Sequence, residues 1–245
     1  MGYTDMKINF RIRSNSKRLF FGLMLSQILI VHDGWAGFKF LDPQIPDGET
    51  ITYRSQSQGK TMTLEEKTIL ISEGQNKLYE IASLSPVLDK YIRIDRKEMT
   101  VSSVHTIRKY DSATLDSKLI IRDAAPNTLD DAIRIPHFVA LTHLLRGFPF
   151  ESKNKIRISY YGESAEKKIN LCIRSKKREN IKINGIEIEC YKLEFGIDGF
   201  LATILPELEL WYTVKPPHYM VKYKGLEGPP GTPERLIELI DYKVP

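Results

Sequence analysis

Cysteine is scarce in this chain, since only Cys172 and Cys190 occur among its 245 residues. Two cysteines are too few for a small disulfide framework, which excludes that class and leaves stability to a hydrophobic core. The two are 18 residues apart, so one disulfide is possible in an oxidising compartment. The sequence leaves this bridge open, because strand register decides whether two cysteines meet.

Long hydrophobic runs are also missing. The longest apolar stretch, residues 19–31, has 13 residues, whereas a membrane-spanning helix needs about 20. It follows five basic residues and precedes Gly34-Trp35-Ala36, which has small residues at the positions that a signal peptidase prefers. This order predicts a cleavable signal peptide over residues 1–36 and one periplasmic or secreted domain over residues 37–245. An uncleaved N-terminal anchor is the alternative, and membrane contact is otherwise expected only through this segment before cleavage.

A strong excess of one charge is absent once the signal segment is set aside. The whole chain has 36 basic and 31 acidic residues, but residues 37–245 have 31 and 29. The signs alternate along the chain, which argues against a phosphate-binding stripe and therefore against nucleic acid as a partner. One local run, Arg174, Lys176, Lys177 and Arg178, is a candidate for contact with an anion or a membrane surface.

Motifs for catalysis and metal binding are lacking as well. The chain has no Gly-x-Ser-x-Gly elbow, no P-loop and no His-Glu-x-x-His. We therefore expect a non-enzymatic protein without a catalytic residue, cofactor or metal ion. Asp130, Asp131 and His137 could gather around a cation, but they fit the start of a helix better. Glu187 and Glu189 share one face of a strand, which is typical of a solvated surface.

Alternation of apolar and polar residues with period two is what the chain has in abundance. The runs 49–55, 60–72, 155–161 and 168–174 follow it, and Asn184-Gly185 predicts a tight hairpin turn. The pattern breaks at residues 136–146, where apolar residues recur every three or four positions between Pro136 and Gly147, as in a helix. The predicted fold is mainly β: a curved antiparallel sheet (half-barrel or clam) of about ten strands with one central amphipathic helix.

Residues 136–245 also carry a resemblance to a known family. The helix Leu141-Thr-His-Leu-Leu-Arg-Gly-Phe-Pro-Phe150, the strand pair around Asn184-Gly185 and the strand Leu210-Trp211-Tyr212 occur in that order. This order resembles an exported bacterial family of unknown function, number three-one-zero-eight in its series. The resemblance implies export and a sheet similar to the curved half-barrel of the periplasmic lipoprotein carriers. It implies no activity, because the family has none agreed.

A binding or carrier role follows as the predicted function. A curved sheet with a helix as a lid can leave a cavity for an apolar ligand such as a lipid or a lipidated protein. Leu141, Leu144, Leu145 and Trp211 are the candidate lining residues. One alternative is an envelope assembly or structural factor that docks a protein partner through an exposed strand edge or a Pro-rich turn. The other is a hydrolase of unrecognised type, which a cleft holding His143 would favour.

Overall fold

A computed structural model describes residues 39–109, 114–120, 133–135, 138–151, 155–161, 168–197, 208–226 and 231–245. All of these lie in the unit Trp35–Pro245. The signal segment 1–36, its cleavage point after Ala36, and the cluster Asp130, Asp131 and His137 lie outside the described residues. The predictions about export and about that cluster therefore stay predictions.

The strands follow the alternation seen in the sequence. They are β1 Thr50–Ser57, β2 Lys60–Glu73, β3 Asn76–Leu84, β4 Leu88–Asp95, β5 Thr100–Lys109, β6 Thr114–Ile120, β7 Ile133–Ile135, β8 Lys155–Tyr161, β9 Lys168–Ser175, β10 Glu179–Ile183, β11 Ile186–Ile197, β12 Leu208–Thr213, β13 Met220–Leu226 and β14 Glu234–Lys243. Among the described residues these 14 strands form one sheet in the order β6-β5-β4-β3-β2-β1-β14-β13-β12-β11-β9-β8-β7. Strand β10 pairs with β11 beside β9.

The sheet is open rather than a closed barrel, and its pairings are antiparallel except for the parallel pair β7–β8. The predicted mainly β fold is confirmed. The strands outnumber the predicted ten, and they include the three-residue β7, which no run in the sequence predicted. The predicted Asn184-Gly185 hairpin is also confirmed, with φ of 50° and 85° at the two turn residues. Such positive φ values are those of a type I′ turn, which suits the twist of a hairpin.

The predicted helix is present but short. Helix α1 spans Phe138–Leu144 and continues as a 3₁₀ turn over Leu145–Gly147. The turn ends against the strand-like segment that enters the sheet, where Leu41 N–H donates to the Gly147 carbonyl at 2.8 Å. A Cβ atom at Gly147 would lie 1.9 Å from the Leu41 oxygen, so glycine is required there. No helix in the described part of the chain is long and apolar enough to cross a bilayer.

Contacts of the helix show that the sheet curves around it. His143 lies 3.4 Å from Glu66 on β2, and Tyr212 on β12 donates to the Thr142 carbonyl at 2.9 Å. Three strands separate β2 from β12, so a flat sheet would hold them about 19 Å apart. One short helix reaches both because the sheet bends. Three bulges contribute to the bend, with the extra residues Ser102 on β5, Val221 on β13 and Ile240 on β14.

The two cysteines do not form the disulfide that the sequence allowed. Cys172 on β9 lies opposite Gly196 on β11, six residues from Cys190, which is about 20 Å along a strand. A disulfide needs Cα atoms within about 7 Å, and both thiols are free and buried. Burial, with a smaller effect of the Glu179 and Glu189 charges, raises the pKa of the Cys190 thiol to about 12. This thiol is therefore a poor nucleophile.

Candidate functional site

All four candidate lining residues are buried in the hydrophobic core, and three of them belong to the helix and its 3₁₀ turn. The side chains of Leu141, Leu144 and Leu145 are 0–1% exposed and belong to the hydrophobic cluster on the concave side of the sheet. Side chains packed to this degree are surrounded by protein atoms, at a density that leaves few voids. They leave no room for an acyl chain in the described structure, so they do not line a ligand cavity there.

Trp211 lies on the opposite face of its strand from the helix. Successive side chains of a strand point to opposite faces, and it is the neighbour Tyr212 that bonds to the helix. Trp211 instead donates its indole N–H to Glu179, and the Nζ atoms of Lys192 and Lys222 lie 5.3 and 5.6 Å from its ring. In the described structure the four candidate residues thus do not face one cavity, and a ligand contact at any of them stays a prediction.

Beneath the helix, the structure brings together a buried ionic cluster that the sequence did not reveal. We call it the inner clasp: Glu49, Glu66, His143 and Arg146. Arg146 donates from Nη1 and Nη2 to the Glu49 carboxylate at 2.6 and 3.0 Å, and from Nε to the Pro217 carbonyl at 2.9 Å. Burial alone would lower the pKa of Arg146, but the Glu49 carboxylate outweighs it and the pKa is raised. The guanidinium therefore stays charged inside the protein.

The other half of the inner clasp is the pair His143–Glu66. Its Nε2–Oε2 distance of 3.4 Å is too long for a well-formed hydrogen bond, and neither ring nitrogen has a hydrogen-bond partner among the described residues. Burial would raise the pKa of Glu66, but His143 and Arg146 together hold it below the ordinary value. A histidine beside a carboxylate resembles part of a catalytic dyad. The two side chains are, however, only 3% and 8% exposed, which supports a structural role for the pair.

A site open to solvent lies at one end of strands β1, β2, β13 and β14. We call it the cationic depression: it has a volume of about 630 Å³ and forms where the β1–β2 turn meets β13 and β14, and it is lined by Gln56, Ser57, Gln58, Gly59, Lys60, Thr61, Lys222, Lys224, Glu234, Arg235 and Leu236. Four of these residues are cationic and one is acidic. By strand alternation Lys222 and Lys224 belong to the outer face, whereas Lys60 and Arg235 occupy positions of the inner-face set. Lys60 and Lys224 have no ion-pair partner within the described residues. Lys222 is 3.9 Å from Glu238, a carboxylate that Arg54 already engages at 2.9 Å.

Local structure explains how the lysines converge. Gln58 and Gly59 have φ of 50° and 72° and close a two-residue turn that places Lys60 at the rim. Lys222 and Lys224 are two residues apart on β13 with the buried Tyr223 between them, so both point outward. The depression is thus assembled from segments about 160 residues apart in the sequence. Only the pairing of β1 with β14, and of β14 with β13, brings them together.

The basic run visible in the sequence is different, because the fold neutralises much of it. Lys176 lies 2.8 Å from Glu194, and Arg178 lies 2.5 Å from Glu151 and 3.6 Å from Glu189. A second, smaller depression of about 310 Å³ lies over β3–β6. There Arg93 pairs with Glu80 at 2.7 Å, whereas Lys118 has no ion-pair partner among the described residues.

Comparison with known proteins adds little about function. No family model and no curated protein matches the chain. A β-barrel-like protein of the DUF1849 family from Brucella abortus is 6% identical over 85% of this chain and 99% of its own, with a TM-score of 0.45. A candidate lipoprotein from Parabacteroides distasonis is 8% identical over 84% and 99% of the two chains, with a TM-score of 0.34. A candidate exported protein with a YmcC-like fold from Bacteroides fragilis is 10% identical over 84% and 100%, with a TM-score of 0.30.

These structures are themselves domains of unknown function or exported proteins, but similarities this low assign neither a family nor an activity to the chain. The resemblance to the family numbered three-one-zero-eight stays a prediction.

Proposed function

We propose that the chain is an exported binding protein that holds an anionic, phosphate-like group of an envelope molecule in the cationic depression. The observation that carries the proposal is the charge of this site: four cationic residues and one acidic residue line one open volume of about 630 Å³. That volume is in the range of about 300–1,000 Å³ found for small-molecule sites. The bound group is the headgroup of a lipid or a free phosphate compound, which share the same chemistry.

The donors around the depression suit an oxyanion. The ammonium groups of Lys60 and Lys224 have no carboxylate to neutralise them in the described structure, and each can donate three hydrogen bonds. Gln56 and Thr61 are exposed beside them and add neutral donors. Arg235 contributes less to an anion site, because its Nε–H donates to the buried Ser55 Oγ at 2.9 Å. An anion entering here gains charge-assisted hydrogen bonds, which are about twice as strong as neutral ones.

The rest of the molecule supports binding through a headgroup rather than through an acyl chain. The leucines on the concave side are packed against the sheet, and the inner clasp is buried where a solvent-borne substrate does not reach it. We therefore propose no catalytic step and no buried chain. The contact is with the polar part of the ligand alone.

Titration of the purified exported protein with inorganic phosphate tests the proposal. The variant Lys60→Gln/Lys224→Gln should bind phosphate about tenfold more weakly, because two exposed ionic contacts of up to about 1 kcal/mol each are lost. The control is Lys97→Gln/Lys67→Gln, which removes the same charge at two exposed positions outside the depression. The control should bind like the parent, and binding in all cases should weaken with added salt.

Vesicles distinguish the two sources of the anion. Co-sedimentation with phosphatidylglycerol but not with phosphatidylcholine indicates a lipid headgroup, whereas binding of phosphate without vesicle binding indicates a soluble phosphate compound. Equal losses in the two double variants, or no binding by the parent, would overturn the proposal. A lipid of full acyl mass retained in native mass spectrometry would instead support the predicted carrier for an apolar ligand.

A further inference from the structure

Strand β6 forms one end of the open sheet. Its described pairing is with β5 alone, and residues 114–118 are all exposed. Leu115 is 54% exposed, among the largest values for an apolar side chain in the described residues. A strand edge with unpaired backbone groups is a template for another strand.

The sequence of β6 is complementary to itself when read antiparallel. It runs Thr-Leu-Asp-Ser-Lys-Leu-Ile over residues 114–120, with Asp116 and Lys118 symmetric about Ser117 and Leu115 and Leu119 symmetric outside them. We propose that two copies of the chain pair antiparallel through β6 about a two-fold axis at Ser117. Asp116 then faces Lys118 of the partner subunit, and the second ion pair follows by symmetry.

Alternation places the two charges where such pairs can form. Lys118 lies across from His105 on the outer face, and Asp116, two residues away, is on the same face. Asp116 lies 2.6 Å from His105 Nε2, yet its side chain is still 63% exposed. Directly opposed charges of opposite sign stabilise an antiparallel pair, and like charges destabilise it.

The charges also select this register over its neighbours. Moving the axis from Ser117 to Asp116 places Asp116 opposite Asp116 of the partner subunit. Moving it to Lys118 places two lysines opposite each other, and a parallel arrangement in register opposes like charges at both positions. Only the axis at Ser117 pairs every charge with its opposite, which is the self-complementarity that a closed two-fold interface requires. This feature favours a second copy over an unrelated partner.

The dimer is independent of the proposed anion site. Five strands, β1 to β5, lie between β6 and β14 in the sheet, and no residue of β6 lines the cationic depression. A variant that no longer dimerises can therefore still be tested for anion binding, and a variant that no longer binds the anion can still be tested for dimerisation.

Sedimentation velocity of the exported protein, purified after expression of the full chain, tests the dimer. We expect dimer at micromolar concentrations for the parent. Asp116→Lys and Lys118→Asp each oppose like charges and should weaken dimerisation at least tenfold. The double variant Asp116→Lys/Lys118→Asp restores both ion pairs with the signs exchanged, and its dissociation constant should return to within about threefold of the parent value. Each single variant replaces two attractive charge pairs by two repulsive ones, which supports changes of this size.

Asp241→Lys is the matched control, because it makes the same charge change at an exposed position on β14 and should leave the dimer intact. Circular dichroism of each variant shows whether it is folded. Where a single variant is unstable, the dissociation constant of the charge-exchanged double variant is compared directly with that of the parent. A monomeric parent at about 100 µM, a double variant as weak as the single variants, or dissociation by Asp241→Lys would overturn the inference.

Discussion

Two Arg–Glu pairs, one on each side of the sheet, show how differently the same chemistry acts inside and outside this protein. In the inner clasp, Arg146 and Glu49 have side chains 2% and 0% exposed and meet through two hydrogen bonds. On the outer face, Arg54 and Glu238 are 38% and 18% exposed and share one contact at 2.9 Å. Water solvates the outer pair, so breaking it costs little. Water does not solvate the inner pair, so breaking it leaves a buried charge without its ion-pair partner.

The largest effect is expected from breaking the inner pair. Arg146→Met leaves Glu49 charged and buried without its partner, and should lower the free energy of unfolding by about 3–5 kcal/mol. Arg54→Met, the matched change on the outer face, should cost below about 1 kcal/mol. Urea unfolding followed by circular dichroism measures both. Similar losses of unfolding free energy in the two variants would show that burial does not make the inner ion pair more important for stability than the outer one.

The position of the inner clasp depends on the glycine that follows it. Gly147→Ala would set a Cβ atom 1.9 Å from the Leu41 oxygen, and the shift needed to relieve this overlap should cost about 1–3 kcal/mol. Gly196→Ala is the control, because the nearest atom to its new Cβ is Arg174 Nη1 at 3.7 Å. Thermal melting should place the Gly147 variant well below the Gly196 variant. Equal melting temperatures would contradict the close approach of the two segments.

A smaller effect separates a buried tyrosine on β12 from an exposed tyrosine on β14. Tyr212→Phe removes the buried hydrogen bond to the Thr142 carbonyl and should lower the free energy of unfolding by about 1 kcal/mol. Tyr242→Phe removes a hydroxyl from a side chain that is 52% exposed and should change stability little. The same urea titration compares them. If the Tyr242 variant lost as much unfolding free energy as the Tyr212 variant, the result would contradict a stabilising hydrogen bond between Tyr212 and the Thr142 carbonyl.

The smallest effect expected is a pH dependence beside the inner clasp. Burial lowers the pKa of His218 below its ordinary value of 6.5, the Arg146 charge lowers it further, and the hydrogen bond to the Thr213 carbonyl opposes them. The folded protein thus resists protonation that the unfolded chain accepts. Stability from this group is present above about pH 6.5 and is lost as pH falls through the lowered pKa.

Melting temperatures of the parent should therefore fall between pH 7 and pH 5 more steeply than those of His218→Gln. Parallel curves for the two proteins would show that His218 does not contribute to the pH dependence.

Much of the fold could be predicted from local pattern alone. Alternation located most of the strands, and Asn184-Gly185 located a hairpin, because a type I′ turn requires residues that tolerate positive φ. The apolar spacing before Gly147 located the helix. The 3₁₀ form of its last turn and its contact with Leu41 could not be predicted, since Leu41 lies about 100 residues earlier in the chain.

The residues of the inner clasp and of the cationic depression could not be predicted, because contacts between residues far apart in the sequence decide which side chains meet. Trp211 and Tyr212 are both large aromatic residues and both are buried, 5% and 0% exposed. Their residue types therefore do not tell which of the two side chains faces the helix. In the basic run that is visible in the sequence, Arg178 and Lys176 pair with Glu151 and Glu194. The lysines that remain unpaired, Lys60 and Lys224, are far apart in the sequence and carry no motif.

The sequence by itself determined the class of fold, because period-two alternation and turn residues act over a few neighbouring positions. It also determined that the charges of β6 are complementary to themselves in an antiparallel pair, since this depends only on the order of its seven consecutive residues. Only the tertiary structure decided that Cys172 and Cys190 stay apart, that Arg146 meets Glu49, and that cations from the β1–β2 turn, β13 and β14 converge. These outcomes depend on register and on the order of strands in the sheet, which join residues too distant along the chain for any local pattern to relate.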